Sequence, residues 1–382
     1  MRKGRIWHGF LSALLSFAAM AVLLPAAQSI IENPARPKAA NAGRIVVPEE
    51  VLTISDDGTR DYYFDVPHDL RIAADGSLFL LDKRQILQFD RAGKFLHNLY
   101  NQGQGPGEMS YVRACLTTDK NVIVHTDSPD RIIFLDYAGK YEREIPFRLK
   151  SGYNLNPKTL LFEGGTFYIQ AAEWPRVKGD PEDVEIPNAI FALNSVSGET
   201  RELSSFSTRS YAITSGRSSG LYEISSFFAA PFKGKYVVLS HTSEYSIKIY
   251  DPSANKVIQE FRRTYERVKP EPPTETDKKG MLVEGKRYPR PEHKYQSDVK
   301  VILTYGDEIW AVTSTRDEAK GVLIDVFDSE GVYRDCFYLK LPEAALNQLR
   351  WPGYCTRDGD FLWVVERTED ETVTIKKYRV VV

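Results

Sequence analysis

Six successive stretches of the sequence share one order of short apolar runs and tight-turn residues. The first stretch, 69–100, contains four apolar runs separated by turn residues at Asp75-Gly76, Lys83-Arg84 and 90–93. The second, 112–147, repeats this plan, because RIIFLDYAGKYER parallels QILQFDRAGKFLH. Apolar and polar residues alternate within the runs with the period of two that is typical of β-strands. The repeat strongly limits the fold, because such a unit can bury its apolar faces only against neighbouring units.

Four further units carry the same pattern less regularly. Together the six units predict an all-β fold, namely a six-bladed β-propeller of four-stranded antiparallel blades. The predicted blades run approximately over 67–102, 111–149, 154–204, 226–262, 297–342 and 352–382. An irregular β-sandwich is the alternative fold, and the shared turn order of six successive units favours the propeller over it.

The sixth unit ends after three strands, so its blade lacks a fourth. The segment 43–55, GRIVVPEEVLTIS, is rich in β-forming residues, precedes the first unit and belongs to no repeat. We predict that this N-terminal strand completes the last blade. A strand taken from the opposite end of the chain closes the ring and removes an exposed sheet edge.

The first residues of the chain have the layout of an export signal. Arg2, Lys3 and Arg5 precede an apolar run over 10–24, and small residues follow. This pattern predicts a signal peptide at 1–29, followed by a linker at 30–42 and a secreted or periplasmic protein without a transmembrane span in its mature chain. Cleavage after Ala42, with Ala40 at the −3 position, and an uncleaved N-terminal anchor are the alternatives. No cysteine lies near the predicted cleavage site, so we expect no lipoprotein anchor.

A glycine-rich loop, Gly-x-Gly-Pro-Gly-Glu, follows the first unit, and its motif residues are Gly103, Gly105, Pro106, Gly107 and Glu108. With the blade pattern, this loop resembles the bacterial exported six-bladed propellers related to NHL-repeat proteins, over about residues 44–382. The resemblance implies the fold rather than a reaction, because many members of such groups have no assigned activity. The loop itself is predicted to be a shaped crossover in which Glu108 holds backbone N–H groups.

The predicted turns differ in length between the two faces of such a ring. Turns between the first and second strands of each unit are short, whereas the long segments all belong to connections at the opposite face. These long segments are 171–188, 204–226, 263–296 and 342–353. Because loops that project from a rigid scaffold often carry function, we expect the long-loop face to hold the binding surface.

Polar side chains near that face are the candidate binding residues. The candidates for a small polar or anionic ligand, or for a protein partner, are His68, Arg71, Arg113, His125, Arg131, His241, Tyr288 and Trp351. Arginine suits carboxylates, whereas tyrosine and tryptophan suit interfaces. For Arg71 and Arg113, which lie on inner strands, filling the channel is favoured over ligand binding.

No catalytic motif is recognisable, and the formal net charge of −2 argues against a nucleic-acid partner. We therefore expect a monomeric binding or scaffold protein without a cofactor, rather than an enzyme. The alternative is a metal-dependent propeller enzyme of the lactonase or lyase type, with Ca²⁺ or Zn²⁺ held at the channel mouth by His68, His125 and His241. Carbohydrate binding through exposed tyrosine and tryptophan side chains is a third option.

Overall fold

The computed structural model describes residues 30–56, 62–175, 177, 179–215, 218–272, 278–368 and 370–382. The predicted signal peptide at 1–29 lies outside these residues. Across the described ranges the strands form six sheets of four or five strands and one two-stranded hairpin. Among the residues that the structure describes, no helix has the length and apolar character needed to cross a bilayer.

Three strands precede the first complete sheet, and they are β1 (Ile31–Asn33), β2 (Arg44–Val46) and β3 (Glu49–Ser55). Sheet 1 is antiparallel and contains β4 (Pro67–Ile72), β5 (Leu78–Asp82), β6 (Gln85–Phe89) and β7 (Phe95–Asn98). Sheet 2 has the same plan, with β8 (Tyr111–Thr117), β9 (Asn121–Asp127), β10 (Arg131–Asp136) and β11 (Tyr141–Pro146).

Sheet 3 contains five antiparallel strands, β12 (Tyr153–Glu163), β13 (Thr166–Glu173), β14 (Gly179–Asn194), β15 (Thr200–Ser215) and β16 (Ser218–Glu223). The antiparallel core of sheet 4 is β17 (Phe228–Phe232), β18 (Tyr236–Ser240), β19 (Ile247–Asp251) and β20 (Lys256–Arg263). The hairpin β21 (Met281–Val283) and β22 (Lys286–Tyr288) follows sheet 4.

The antiparallel core of sheet 5 is β23 (Val299–Tyr305), β24 (Glu308–Asp317), β25 (Gly321–Asp328) and β26 (Tyr333–Leu339). A short helix, α1 (Glu343–Gln348), leads to the last sheet. Sheet 6 takes three strands from the C-terminal region, β27 (Cys355–Asp358), β28 (Phe361–Arg367) and β29 (Val373–Arg379).

A repeated aspartate turn explains why the third and fourth strands of several sheets fold back on each other. In sheet 1, Asp90 Oδ1 accepts the backbone N–H groups of Ala92 and Lys94, each at 2.9 Å. Asp136 makes the corresponding pair of contacts in sheet 2, and Asp328 makes them in sheet 5. The side chain thus fixes the turn locally, which is the usual role of aspartate in such loops.

Apolar packing joins each sheet to the next around a closed series. The first strands contact one another in the order β4, β8, β12, β17, β23 and β27, and β27 contacts β4. One cluster of buried apolar side chains lies between each pair of consecutive sheets, including sheets 6 and 1. The three cysteines are buried within this packing and are not bridged.

Residues 31–55, the N-terminal belt, add one outer strand to each of three consecutive sheets. β3 pairs antiparallel with β29, whereas β1 pairs parallel with β20 and β2 pairs parallel with β26. The prediction that an N-terminal strand completes the last sheet is confirmed. The bounds were wrong, because only Glu49–Ser55 joins sheet 6 while Arg44–Val46 joins sheet 5, and the predicted linker contains β1.

Two segments predicted as long loops are instead extensions of sheet 3. The 171–188 and 204–226 segments contain much of β14, β15 and β16, which pair with one another beyond the sheet core. The hairpin β21–β22 from the 263–296 insertion packs on this extension through Ile213, Val283 and Tyr288. The sequence failed to indicate these strands because buried positions of β15 are occupied by the polar residues Thr208 and Ser210, so apolar and polar residues do not alternate there.

Candidate functional site

The glycine-rich loop is held by side chains from its own segment and from sheet 2. Glu108 Oε2 accepts the N–H of Gly105 at 2.8 Å, and Arg131 Nη2 donates to the Glu108 carbonyl at 2.8 Å. Gly103 has a φ of 154°, and a Cβ there would lie 1.9 Å from a Glu108 carboxylate oxygen. Arg131 is 4 % exposed and pairs with Glu144, so it acts as a structural residue of this loop.

We expect Glu108→Ala to lower the free energy of unfolding by about 2 kcal/mol, because the loop loses a hydrogen bond to a charged acceptor. Urea denaturation measures this change. The control is Glu199→Ala at an exposed side chain, which should change stability by less than about 0.5 kcal/mol. Equal effects of the two substitutions would show that the carboxylate does not hold the loop.

Bulges interrupt the first strands of four sheets near their starts. The pairing register shifts at Asp69 in β4, at Arg113 in β8, at 156–157 in β12 and at Lys300 in β23. A bulge leaves an extra residue unpaired and redirects its side chain. Because these strands contact one another around the series of sheets, the bulges at Asp69, Arg113 and Lys300 place charged side chains where neighbouring first strands meet.

Asp69 joins three of these strands. Its Oδ2 accepts the N–H of Cys115 at 3.1 Å, and its Oδ1 lies 2.8 Å from Arg71 Nη2 and 3.3 Å from Lys158 Nζ. Burial alone would raise the pKa of Asp69, but Arg71 and Lys158 outweigh burial and lower it. Arg71 is therefore engaged by a buried carboxylate, while its Nε is buried without a hydrogen-bond partner.

Two other predicted ligand residues near the centre are also engaged within the protein. Arg113 Nε donates to Asp127 at 2.7 Å, and its guanidinium lies 4.6 Å from the centre of the Tyr111 ring. His68 Nδ1 lies 3.0 Å from the Val66 carbonyl oxygen in the preceding turn. These contacts hold both side chains in place while leaving them partly exposed.

His125 is a buried, neutral histidine between sheets 2 and 3. It is 1 % exposed, its Nδ1 lies 3.2 Å from Thr159 Oγ1, and its Nε2 has no hydrogen-bond partner. Burial and the nearby Arg113 lower the pKa of His125 to about 3. The ring packs on Phe147 with a centroid separation of 5.3 Å, so His125 contributes to the packing of the core.

The stability of the protein should therefore fall on acidification partly through His125. An unfolded histidine binds a proton below about pH 6.5, whereas folded His125 stays neutral down to its lowered pKa, so acid favours the unfolded chain in this window. We expect the urea midpoint to fall more steeply between about pH 7 and about pH 5 in the parent than in His125→Asn. Parallel pH profiles of the two proteins would contradict this assignment.

The predicted metal-binding histidines are not assembled into a site. His68 contacts its own turn, His125 contacts Thr159, and His241 contacts Ser207 and Lys248. Within the part of the chain that the structure describes, no group of three or more His, Cys, Asp and Glu side chains has an arrangement that could hold a metal ion. The metal-dependent alternative therefore lacks a supporting ligand set there.

A cleft of ≈ 530 Å³ lies on the long-loop face and contains His241, so we call it the His241 cleft. Sheet 3 contributes Ser207 and Arg209, the turn after β18 contributes 241–246, and the connection after β20 contributes Tyr265 and Arg267. Five basic and four acidic side chains line the cleft, together with several hydroxyl groups. Such a surface suits a small polar ligand.

Arg267 fixes the rim of the His241 cleft through an ion pair with a carboxylate and a hydrogen bond to the backbone. Arg267 Nε donates to Asp298 at 3.0 Å, and its Nη2 donates to the Ser243 carbonyl at 2.9 Å. Burial raises the pKa of Asp298, although its contact with Arg267 opposes that rise. The turn after β18 is thereby tied to the connection between sheets 4 and 5.

The floor of the cleft rests on a buried arginine between sheets 4 and 5. Arg263 Nε donates to Asp325 at 2.8 Å, and its guanidinium lies 4.8–5.3 Å from the ring centres of Tyr245, Tyr265 and Tyr333. Asp325 is fully buried and also accepts the Tyr245 hydroxyl at 2.7 Å. Burial and the Asp325 charge raise the pKa of Tyr245, so the phenol remains a donor.

A second cleft, of ≈ 510 Å³, lies on the opposite face between the short turns of sheets 4 and 5. Its described lining is 231–234 and 304–307, in which Lys233 and Asp307 are the charged residues. The His241 cleft is therefore lined by many more charged side chains than the cleft on the opposite face.

The remaining two aromatic candidates occupy different environments. Tyr288 is 7 % exposed and packs in the cluster that joins the hairpin to sheet 3, so it is not presented to a partner. Trp351 is 50 % exposed in the connection after α1. The sequence had indicated His241 but had not indicated Lys248, Arg263 or Arg267. Lys248 lies on β19, the middle strand of sheet 4, while Arg263 ends β20 and Arg267 lies in the connection beyond it.

No known protein family and no curated protein matches the sequence. Solved structures do match it. A Bacteroides fragilis protein described as exported has a TM-score of 0.50 and 10% identity, with coverage of 93% of this chain and 100% of that one. At this identity the likeness concerns the fold alone.

Two other matching structures have lower scores. The extracellular domain of a one-component system from B. thetaiotaomicron has a TM-score of 0.40 and 10% identity, covering 85% of this chain and 39% of that one. Glutaminyl cyclase of Myxococcus xanthus has a TM-score of 0.34 and 8% identity, covering 89% and 100%. The chain is thus an all-β protein of propeller-like fold that resembles an exported Bacteroides protein.

Proposed function

We propose that the protein is a binding module that captures a small polar ligand in the His241 cleft, without catalysing a reaction. The observation that carries this proposal is the cleft itself, because its ≈ 530 Å³ falls in the range of small-molecule sites. Charged and hydroxyl side chains from sheet 3, from sheet 4 and from the connection to sheet 5 line it together.

The scaffold for this function is, in our proposal, one six-bladed β-propeller related to the NHL-repeat group. The closed order of contacts among the first strands supports six blades, as does the apolar cluster between every pair of consecutive sheets. A crystal structure that shows a different number of sheets around the axis would contradict the count.

We also propose that the protein works outside the cytoplasm after removal of residues 1–29. The basic residues and apolar run at the N-terminus support export, as does the fold likeness to a protein described as exported. The intact mass of the protein recovered from the periplasm or medium tests this. A chain that begins at Ile30 is expected, whereas a chain that retains the first 29 residues would contradict cleavage.

Filling one cleft at a time tests the binding function. Thr242 lines the His241 cleft, so Thr242→Trp should block it, while Asp307→Trp should fill the cleft on the opposite face. We expect polar small molecules that raise the melting temperature of the parent to lose this effect in Thr242→Trp and to keep it in Asp307→Trp. The proposal fails if no polar small molecule stabilises the parent, or if Asp307→Trp alone removes the effect.

A further inference from the structure

The amine of Lys248 and the ring of His241 meet inside the His241 cleft. Lys248 Nζ lies 2.9 Å from His241 Nε2, and His241 Nδ1 lies 3.1 Å from the Ser207 carbonyl oxygen. A carbonyl oxygen only accepts, so Nδ1 carries the ring hydrogen, and Nε2 accepts from the ammonium group. In this arrangement the imidazole is neutral beside a cation.

The ammonium group of Lys248 forms a long ion pair with Glu260 and no hydrogen bond to it. Lys248 Nζ lies 3.9 Å from Glu260 Oε2, beyond hydrogen-bond distance, while Glu260 Oε1 accepts the Ser246 hydroxyl at 2.9 Å. The Lys248 side chain is 18 % exposed and faces the cleft. One hydrogen bond to His241 therefore leaves donors of the ammonium group free to meet a ligand.

The arginines of the cleft are each paired with a carboxylate. Arg267 is bound to Asp298, and Arg263 is bound to Asp325. The remaining groups that face the pair are the Phe206 ring from β15, and the side chains of Glu185, Arg209, Glu244 and Arg262 around the cleft. Arg209 and Arg262 pair with the exposed Asp183 and Glu32, contacts of little energetic value that a ligand can replace.

We infer that Lys248 and His241 form an oxyanion site, which binds a carboxylate or phosphate group of the ligand and takes up a proton at His241 on binding. This inference rests on the proposed function, because it names the chemical class of ligand for the same cleft. The ion contacts the ammonium group and the imidazolium together. Hydrogen bonds between such charged partners are about twice as strong as neutral ones.

The proton uptake follows from the charges around the imidazole. Without a ligand, burial and Lys248 lower the pKa of His241, because a second positive charge would lie 2.9 Å from the first. A bound oxyanion removes that repulsion and raises the pKa. His241 is thus protonated in the complex at pH values where it is neutral in the free protein. Affinity for the anion therefore increases as pH falls through the pKa of His241 in the complex, and it levels off below the pKa of His241 in the free protein.

Calorimetric titration of the parent with D-glucuronate and with inorganic phosphate tests the inference, with methyl glucoside as the uncharged control. We expect at least one anion to bind about tenfold more tightly at about pH 5.5 than at about pH 7.5, with proton uptake revealed by comparing buffers of different ionisation enthalpy. Carboxylate and phosphate are thereby distinguished by separate titrations.

Three variants separate the roles of the residues. Lys248→Met should weaken anion binding at least about tenfold, and His241→Asn should retain binding while losing its pH dependence. Lys256→Met, at an exposed lysine outside the cleft lining, should behave like the parent. Circular dichroism confirms that each variant is folded.

The outcomes separate this inference from the proposed function. If methyl glucoside or another uncharged ligand binds the cleft but neither anion does, the binding function stands and the oxyanion site is refuted. Anion binding that is unchanged in Lys248→Met, or that shows no proton uptake, also refutes it. If no ligand of either kind stabilises the parent, the proposed function itself fails.

Discussion

A chain that lacks residues 30–56 is expected to unfold at a urea midpoint no higher than half that of the parent. The deletion removes β1, β2 and β3, and so exposes the outer edges of sheets 4, 5 and 6. It also removes Val46 and Ile54, which are 7 % and 3 % exposed and pack in the clusters beside sheet 6. Each such side chain stabilises the fold by about 1.5–3 kcal/mol, against a usual total of about 5–15 kcal/mol.

A shorter deletion provides the control for this experiment. Removing 30–42 takes away β1 alone, a strand of three residues held by Asn33 contacts to Arg262 and Gly331, and leaves β2 and β3 in place. We expect a smaller fall in the urea midpoint than for removal of 30–56. If both deletions unfold at the same urea concentration as the parent, the N-terminal belt does not stabilise the sheets it covers.

The second large effect is expected for Asp325→Asn, which should lower the free energy of unfolding by about 3–5 kcal/mol. The carboxylate is fully buried and accepts hydrogen bonds from Arg263, Tyr245 and Tyr333. An amide cannot balance the guanidinium charge, and Arg263 is only 8 % exposed. The substitution therefore leaves an uncompensated charge between sheets 4 and 5.

Asp307→Asn is the matched control for the buried carboxylate. The Asp307 side chain is 77 % exposed and pairs with Lys233 on the short-turn face. Exposed pairs of this kind contribute about 0–1 kcal/mol. Urea denaturation of both variants gives the comparison, and a loss for Asp325→Asn no larger than that of its control would mean that Arg263 is not held by this ion pair.

The sequence indicates those parts of the fold whose causes are local. The turns at Asp90 and Asp136 could be predicted because a single side chain and a nearby glycine determine them. β3 could be predicted because the last sheet lacked a strand and only one unused β-rich segment preceded the first unit. β1 was not predicted and β2 was assigned to the wrong sheet, because short parallel strands depend on partners more than 200 residues away.

The sequence indicated only part of the candidate site, because most of its residues are brought together by contacts between distant parts of the chain. His241 lies at the end of a strand on the expected face, so its position followed from the repeat. Lys248 alternates with the buried Ile247 and Ile249 of β19, and Arg267 lies on a long connection, so a polar residue is ordinary at both positions. The Arg263–Asp325 pair joins residues 62 positions apart, and no spacing rule connects them.

Deuterium exchange of the protein with and without its best-binding anion tests whether the His241 cleft is the binding site. We expect the ligand to slow exchange at 207–209, 241–248 and 260–267, which surround the His241 cleft. Protection confined to 231–234 and 304–307, on the short-turn face, would contradict it.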